Sequence, residues 1–181
     1  MDLLLRLSAF IDAMNERIGK AAAWLGLGAV IVCTANAIMR YALNSSSNAW
    51  LELQWYFNAA VFMLVAAWTL SRNEHIRIDV LAGKLSLRTQ AWIDIVGGVL
   101  FLMPVSLIIA WYSWPSLANS YQLSEYSSDP GGLLRWPIRL VIPVAFVLLV
   151  LQGFSEIVKR AAFLRGMIPF PGGRRHEHEV A

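Results

Sequence analysis

Residues 95–124 have the sequence "IVGGVLFLMPVSLIIAWYSWPSLANSYQLS", and none of these 30 positions holds Asp, Glu, Lys or Arg. A helix needs about 20 apolar residues to cross the hydrocarbon core of a bilayer, which is about 30 Å thick. Pro115 and the polar residues after it predict that the helix ends near Ala118. The remaining length is sufficient to span, so this stretch indicates a transmembrane helix.

Three other charge-free stretches occur in the chain, at residues 21–39, 53–71 and 140–155. The last is short, but it extends back to Trp136 if the flexible side chain of Arg139 reaches the interface. Hydrophobic residues make up 57% of the chain and charged residues 15%, against about 25% charged residues in a typical soluble domain. The sequence therefore predicts an all-α integral membrane protein with four transmembrane helices.

The basic residues are unevenly distributed among the connections. The first 20 residues, the second connection and the C-terminal segment hold 12 of the 15 Lys and Arg residues, and the first and third connections hold Arg40, Arg135 and Arg139. Cytoplasmic connections carry an excess of Lys and Arg. Both termini are therefore expected in the cytoplasm.

The first 20 residues carry apolar side chains at spacings of three and four: Leu3, Leu4, Leu7, Phe10, Ile11, Met14 and Ile18. This spacing predicts an N-terminal amphipathic helix in the inner membrane interface, or alternatively a helix packed on the cytoplasmic face of a partner. The first span then acts as an uncleaved signal anchor. The expected organisation is an interfacial helix (1–20), a four-helix transmembrane domain (21–160) and a cytoplasmic tail (161–181).

Neutral polar and small residues inside the spans indicate how the helices pack. Asn36 and Asn58 are expected to form hydrogen bonds between helices, worth about 0.6–2 kcal/mol each. Four glycines allow another helix, in this chain or in a partner, to approach closely: Gly26, Gly28, Gly97 and Gly98. The ionisable residues lie at the ends of the spans, so helix packing is favoured over a substrate or ion pathway.

The third connection, "YSSDPGGLLRWPIRL" at residues 126–140, is predicted to be an ordered outer loop. Residues 129–132 have the composition of a turn, Pro137 suits the first turn of a helix, and Trp136 is expected in the outer aromatic belt. The loop is either structural or a docking surface, with contacts expected from Gly131, Gly132, Arg135, Trp136 and Pro137.

The second connection begins with "RNEHIRIDVL" at residues 72–81, whose residue types are those of catalytic or metal sites. Zinc binding would use Glu74, His75 and Asp79, but only one imidazole is present, no thiol accompanies it, and two arginines would oppose a cation. Pairing of the two acids with Arg72 and Arg77 is favoured, and it would hold spans two and three in fixed relation. No catalytic, metal or substrate-binding residue is expected in the chain.

Other functions are excluded by residues that the sequence lacks or places elsewhere. The three histidines, at positions 75, 176 and 178, lie outside the spans, which excludes a membrane haem site. One cysteine, Cys33, excludes a dithiol oxidase. The basic residues are scattered instead of forming a stripe, so nucleic acid is not an expected partner.

The sequence resembles the small membrane subunit (DctQ-type) of tripartite ATP-independent periplasmic (TRAP) transporters. The resemblance extends over about residues 21–160. It is carried by "RNEHIRIDVL" after the second span, Glu52 near the start of that span, and the glycine pair and "RWPIR" that lead into the fourth span.

The resemblance implies a non-catalytic scaffold in the bacterial inner membrane, in contact with membrane lipids and without a cofactor of its own. It implies two partner proteins, a large DctM-type permease and a periplasmic substrate-binding protein. Sodium-coupled uptake of an organic acid would then take place in the permease. The alternative function is that of a self-contained small carrier or membrane enzyme with its site in the cytoplasmic 72–88 loop. The residues leave open the substrate and the helix faces that meet the permease, although the glycine-bearing first and third helices are the expected faces.

Overall fold

The computed structural model describes residues 1–45, 47–72 and 85–171. In this part of the chain the elements are α1 (Asp2–Ala42), α2 (Asn48–Ser71), α3 (Leu87–Gly97), a π-helical turn (Gly98–Leu102), α4 (Met103–Gln122) and α5 (Trp136–Leu164). The turn joins α3 and α4 into one 36-residue helical segment. The signature residues Glu74, His75, Arg77 and Asp79 lie outside the described residues.

Four helical segments are long and apolar enough to cross a membrane: α1, α2, α3 to α4, and α5. Three of these segments contain a whole charge-free stretch, and the segment formed by α3 and α4 contains all but the last two residues of the stretch at 95–124. The prediction of an all-helical membrane protein with four spans is confirmed.

The helix of the fourth span, α5, lies at the centre of the arrangement. It packs against α1, α2, α3 and α4, and α1 also packs along α2. Of the four segments α5 is the most buried, whereas the segment formed by α3 and α4 buries only 6% of the residues in its most apolar part. The fold is therefore organised around α5, with broad apolar surfaces left open on the surrounding helices.

Serine side chains begin two of the helices. Ser47 Oγ accepts a hydrogen bond from the Ala49 amide at 3.3 Å, and Ser86 Oγ accepts one from the Thr89 amide at 3.2 Å. Such caps satisfy amide groups that have no partner inside the helix. They fix where α2 and α3 start after their polar connections.

The proline positions correct one boundary. Pro115 lies inside α4, which continues to Gln122, so the prediction that the helix ends near Ala118 is wrong. An isolated proline in a long apolar helix removes one backbone hydrogen bond, and neighbouring residues compensate by local adjustment. Pro104 directly follows the π-helical turn, where the Met103 amide bonds to the Gly98 carbonyl, a local geometry that accommodates the missing donor.

The N-terminal segment differs from the separate interfacial helix that the sequence suggested. α1 runs through residue 20 without a break and its 41 residues extend roughly 60 Å at about 1.5 Å per residue. Its buried face begins with Ser8, Ile11 and Asn15, while Leu3 and Phe10 of the predicted apolar face are exposed. No proline interrupts residues 2–42, so nothing in the local sequence stops helix propagation.

Candidate functional site

Polar side chains concentrate at the two ends of α5. One group, the outer clamp, consists of Glu52, Ser127, Gly132 and Leu133. The other, the inner cluster, consists of Ser8, Asp12, Asn15, Gln152, Ser155, Glu156 and Lys159. Both groups join α5 or its entry loop to helices that are distant in sequence.

Glu52 is the centre of the outer clamp. Its side chain is 6% exposed, and its carboxylate accepts hydrogen bonds from the Leu133 amide at 2.6 Å and from the Ser127 hydroxyl. One helical turn further, the Tyr56 hydroxyl donates to the Leu134 carbonyl at 3.1 Å. The start of α2 therefore holds the loop that leads into α5.

The glycine pair gives this loop its shape. The Gly132 amide donates to the Asp129 carbonyl at 3.0 Å, and Gly131 has a φ of +72°. Pro130 lies between Asp129 and Gly131, so residues 129–132 have the pattern of a type II turn, which needs a positive φ at its third residue. A Cβ on Gly132 would lie 2.8 Å and 2.9 Å from the two Glu52 carboxylate oxygens and would overlap Ser127. Glycine at position 132 is what lets the loop approach Glu52.

The remaining outer-loop residues fix the start of α5. The Arg135 amide donates to the Glu125 carbonyl at 2.8 Å, and Arg139 forms a 2.7 Å ion pair with the Glu125 carboxylate. Trp136 meets Tyr121 edge to face at 5.6 Å between ring centres, and Pro137 lies in the first turn of α5. These contacts tie the end of α4 to the beginning of α5.

In the inner cluster, two fully buried pairs join α1 to α5. The Ser8 and Ser155 hydroxyls lie 2.6 Å apart, and Asn15 Nδ2 donates to Gln152 Oε1 at 2.7 Å. Because unpaired polar groups are costly to bury, these pairs define how the two helices align.

Three charged residues complete the inner cluster. Asp12 accepts hydrogen bonds from Gln152 Nε2 at 2.8 Å and from the Ser155 hydroxyl at 2.7 Å. Its other oxygen lies 3.0 Å from the Lys159 ammonium, which also contacts Glu156. A single cation thus lies between two carboxylates that are themselves hydrogen-bonded, an arrangement suited to holding helices together.

Other inner contacts anchor the ends of the connections. Arg72, the first residue of the signature segment, pairs with Glu16 of α1 at 3.0 Å, so its described partner is on α1 instead of within its own loop. Arg160 is 2% exposed, pairs with Asp94 at 3.1 Å and donates to the Pro171 carbonyl at 2.7 Å. These pairs hold α2, α3 and the start of the C-terminal segment against α1 and α5.

The predicted packing residues fall into two groups. A Cβ on Gly28 would lie 3.2 Å from the Phe57 ring and one on Gly98 3.1 Å from Ile157, whereas Gly26 and Gly97 face open space. Asn36 is buried with no partner for its Oδ1 within the described residues, and Asn58 is exposed. Among the described residues, Gly28 and Gly98 are therefore packing positions, whereas Gly26 and Gly97 meet no other side chain.

The inner cluster and two tight glycine contacts were not predicted from the sequence. A Cβ on Gly19 would lie 2.7 Å from the Trp68 ring, and one on Gly153 would lie 2.9 Å from Leu102. A signal was present: Ser8, Asp12, Asn15 and Gly19 recur at spacings of four, three and four, and Gln152, Ser155 and Lys159 at three and four. Such spacings place small and polar residues on one helical face.

Within the residues that the structure describes, no group of three His, Cys, Asp or Glu side chains is arranged to hold a metal ion. The described polar groups join helix to helix and loop to helix. What the arrangement supplies chemically is a rigid set of hydrogen bonds and ion pairs at both ends of an apolar bundle.

Comparison with known proteins gives one family. The family model described as tripartite ATP-independent periplasmic transporters, DctQ component, matches residues 29–163. Neither the curated proteins nor the solved structures contain a match to the chain. The matched range includes the outer clamp, the signature segment and α5, and it begins after the N-terminal half of α1.

Proposed function

The chain belongs to the DctQ component family of tripartite ATP-independent periplasmic transporters, and we propose that it is the fixed scaffold on which the large permease of such a transporter works. The family is a transporter component and not an enzyme family. In the proposed complex the DctM-type permease carries out sodium-coupled uptake of an organic acid that a periplasmic binding protein delivers.

The observation that supports a scaffold is the fixation of α5 at both ends. Glu52 holds the entry loop of α5 through hydrogen bonds from Leu133 and Ser127, while Asp12 and Asn15 hold the other half of the helix through Gln152, Ser155 and Lys159. A helix that slid or tilted during transport would break buried polar contacts at one end or the other, which is costly.

The exposed surfaces support a protein that works in contact with lipid and with another membrane protein. Trp24, Trp111 and Tyr112 are each more than 70% exposed on helices long enough to span. Apolar surface of this extent needs a bilayer or a protein partner to cover it.

We place the chain in the bacterial inner membrane with both termini in the cytoplasm. The bias of 12 of the 15 basic residues toward one side supports this orientation. It puts the outer clamp on the periplasmic side, where a binding protein would approach, and the inner cluster near the cytoplasm.

The proposal is tested by expressing the transporter with and without this chain. The chain is expected to copurify with the large permease in mild detergent, and its deletion is expected to abolish uptake while the permease is still made. Uptake that survives the deletion would contradict the scaffold role, as would transport by liposomes that contain this chain alone.

A further inference from the structure

One face of α2 carries amide side chains that have no hydrogen-bond partner in the part of the chain that the structure describes. Asn58 is exposed, Gln54 is half-buried one helical turn before it, and neither forms a hydrogen bond with any described residue. Leu51, Trp55 and Phe62 complete the same face, which we call the outward face of α2. Trp55 is 63% and Phe62 79% exposed.

This face points away from the rest of the chain. Positions 51, 55, 58 and 62 follow the spacing of four, three and four that puts residues on one side of a helix. Two of the buried residues of α2, Ala60 and Ala67, lie on the opposite side, and the third, Glu52, lies about a quarter turn from this face. Asn58 therefore faces away from α1 and α5.

Asn58 lies inside the apolar part of the span. It is six residues past Glu52 along α2, which corresponds to about 9 Å at about 1.5 Å per residue. Hydrocarbon offers no hydrogen-bond partner to an amide at such a depth, and water is scarce there. A lipid-facing surface would favour an apolar residue at this position.

Two hydroxyl-bearing residues in other spans differ in this respect. Thr34 on α1 donates its hydroxyl proton to the Val30 carbonyl at 2.9 Å, and Ser113 on α4 donates to the Ala110 carbonyl at 3.0 Å. Both are satisfied by their own helix and are compatible with lipid contact. Asn58 has no such partner among the described residues, so its amide is available to a donor or acceptor of another protein.

We propose that the outward face of α2 packs against a transmembrane helix of the large permease, and that a polar side chain of that helix hydrogen-bonds Asn58. Trp55 and Phe62 lie on either side of the amide and act as the large apolar anchors that such contacts use. The inference rests on the proposed function and adds to it the face that meets the partner. It replaces the expectation that the glycine-bearing first and third helices form this contact.

The assignment is tested by photocrosslinking in membranes that contain the assembled transporter. A photoreactive amino acid is placed at position 55 or 62 on α2, and at the matched aromatic positions 111 and 101 on the segment formed by α3 and α4, where Trp111 is 77% and Phe101 69% exposed. Positions 55 and 62 are expected to crosslink to the permease. Crosslinks from 101 or 111 without any from α2 would overturn the inference, as would the absence of crosslinks from all four.

The role of the amide is tested by N58L, with T34L as the matched control on α1 and N58Q as the conservative variant. Hydrogen bonds between membrane helices change an equilibrium by about threefold on average and about twentyfold at most. N58L is expected to raise the dissociation constant of the complex within that range. T34L should leave the dissociation constant unchanged, and N58Q should raise it less than N58L does. Equal affinities for N58L and T34L would refute the hydrogen bond.

Failure of the wild-type chain to copurify with the permease would refute the proposed function itself, whereas copurification with crosslinks from α4 alone would refute only this inference.

Discussion

Replacement of Gln152 by leucine tests the inner cluster directly. Gln152 is 0% exposed, accepts a 2.7 Å hydrogen bond from Asn15 and donates a 2.8 Å hydrogen bond to the Asp12 carboxylate. Leucine has a similar volume, so the change removes polar contacts and leaves little cavity.

The expected loss follows from the contacts. One neutral hydrogen bond contributes about 0.5–1.5 kcal/mol, one to a charged group about 1.5–3 kcal/mol, and a buried group left without a partner adds to the loss. Hydrogen bonds between membrane helices are weaker, about 0.6 kcal/mol on average, and this reduction roughly offsets the penalty for the groups left unpaired, so we expect Q152L to lower the free energy of unfolding by about 2–4 kcal/mol.

The assay is thermal unfolding of the purified chain in detergent, with Q122L as control because Gln122 is exposed at the end of α4. A loss of that size corresponds to a fall in Tm of roughly 5–15 °C, and the control should shift Tm little. The double variant N15L/Q152L should lose less than the two single variants together, because neither partner is left unpaired. A Q152L chain as stable as Q122L would show that the cluster does not hold α1 to α5.

Three further predictions concern the glycines and an exposed ion pair. G132A should destabilise the outer clamp by about 1–3 kcal/mol, since the added methyl overlaps Ser127 and Glu52; unchanged protease resistance of the outer loop would contradict this. G153A should lower Tm through its contact with Leu102, while G97A, which meets open space, should be neutral or stabilise α3 by up to about 1 kcal/mol; similar Tm shifts for the pair would refute the packing. E16Q should leave the midpoint of chemical denaturation nearly unchanged, because both partners of Glu16 are exposed, and a clear fall in the midpoint would contradict this.

The spans were predictable because length and charge are local properties. Three of the four charge-free stretches fall wholly within one helical segment and the fourth does so apart from its last two residues, and Ser47 and Ser86 at the helix starts are the residues that capping favours. The outer turn was also predictable, since Pro130 and Gly131 together specify its geometry.

The inner cluster was not predicted, because its contacts join residues far apart in sequence. Ser8 and Ser155 are separated by 147 positions and Asn15 and Gln152 by 137. The spacing of these residues shows that each group shares a helical face, but it does not show which helix the face meets. The same reason explains why Gly28 and Gly98 could not be separated in advance from Gly26 and Gly97.

The roles of the signature residues remain predictions. Glu52 and Arg72 have described partners in Leu133 and Glu16, and both partners lie outside the signature segment. Glu52 and Arg72 therefore each join two elements that are distant in sequence.

The central claim, that the chain is a fixed scaffold, is tested most directly by measuring distances within it during transport. Cys33 is the one cysteine in the sequence and is exposed on α1, so it takes a spin label, and a second label at W111C reports on α4 across α5. The account predicts the same distance distribution between these labels with and without sodium and substrate, in an assembled transporter whose permease changes conformation. A distance that shifts together with the permease would show that the chain moves with the transport cycle and would contradict the account.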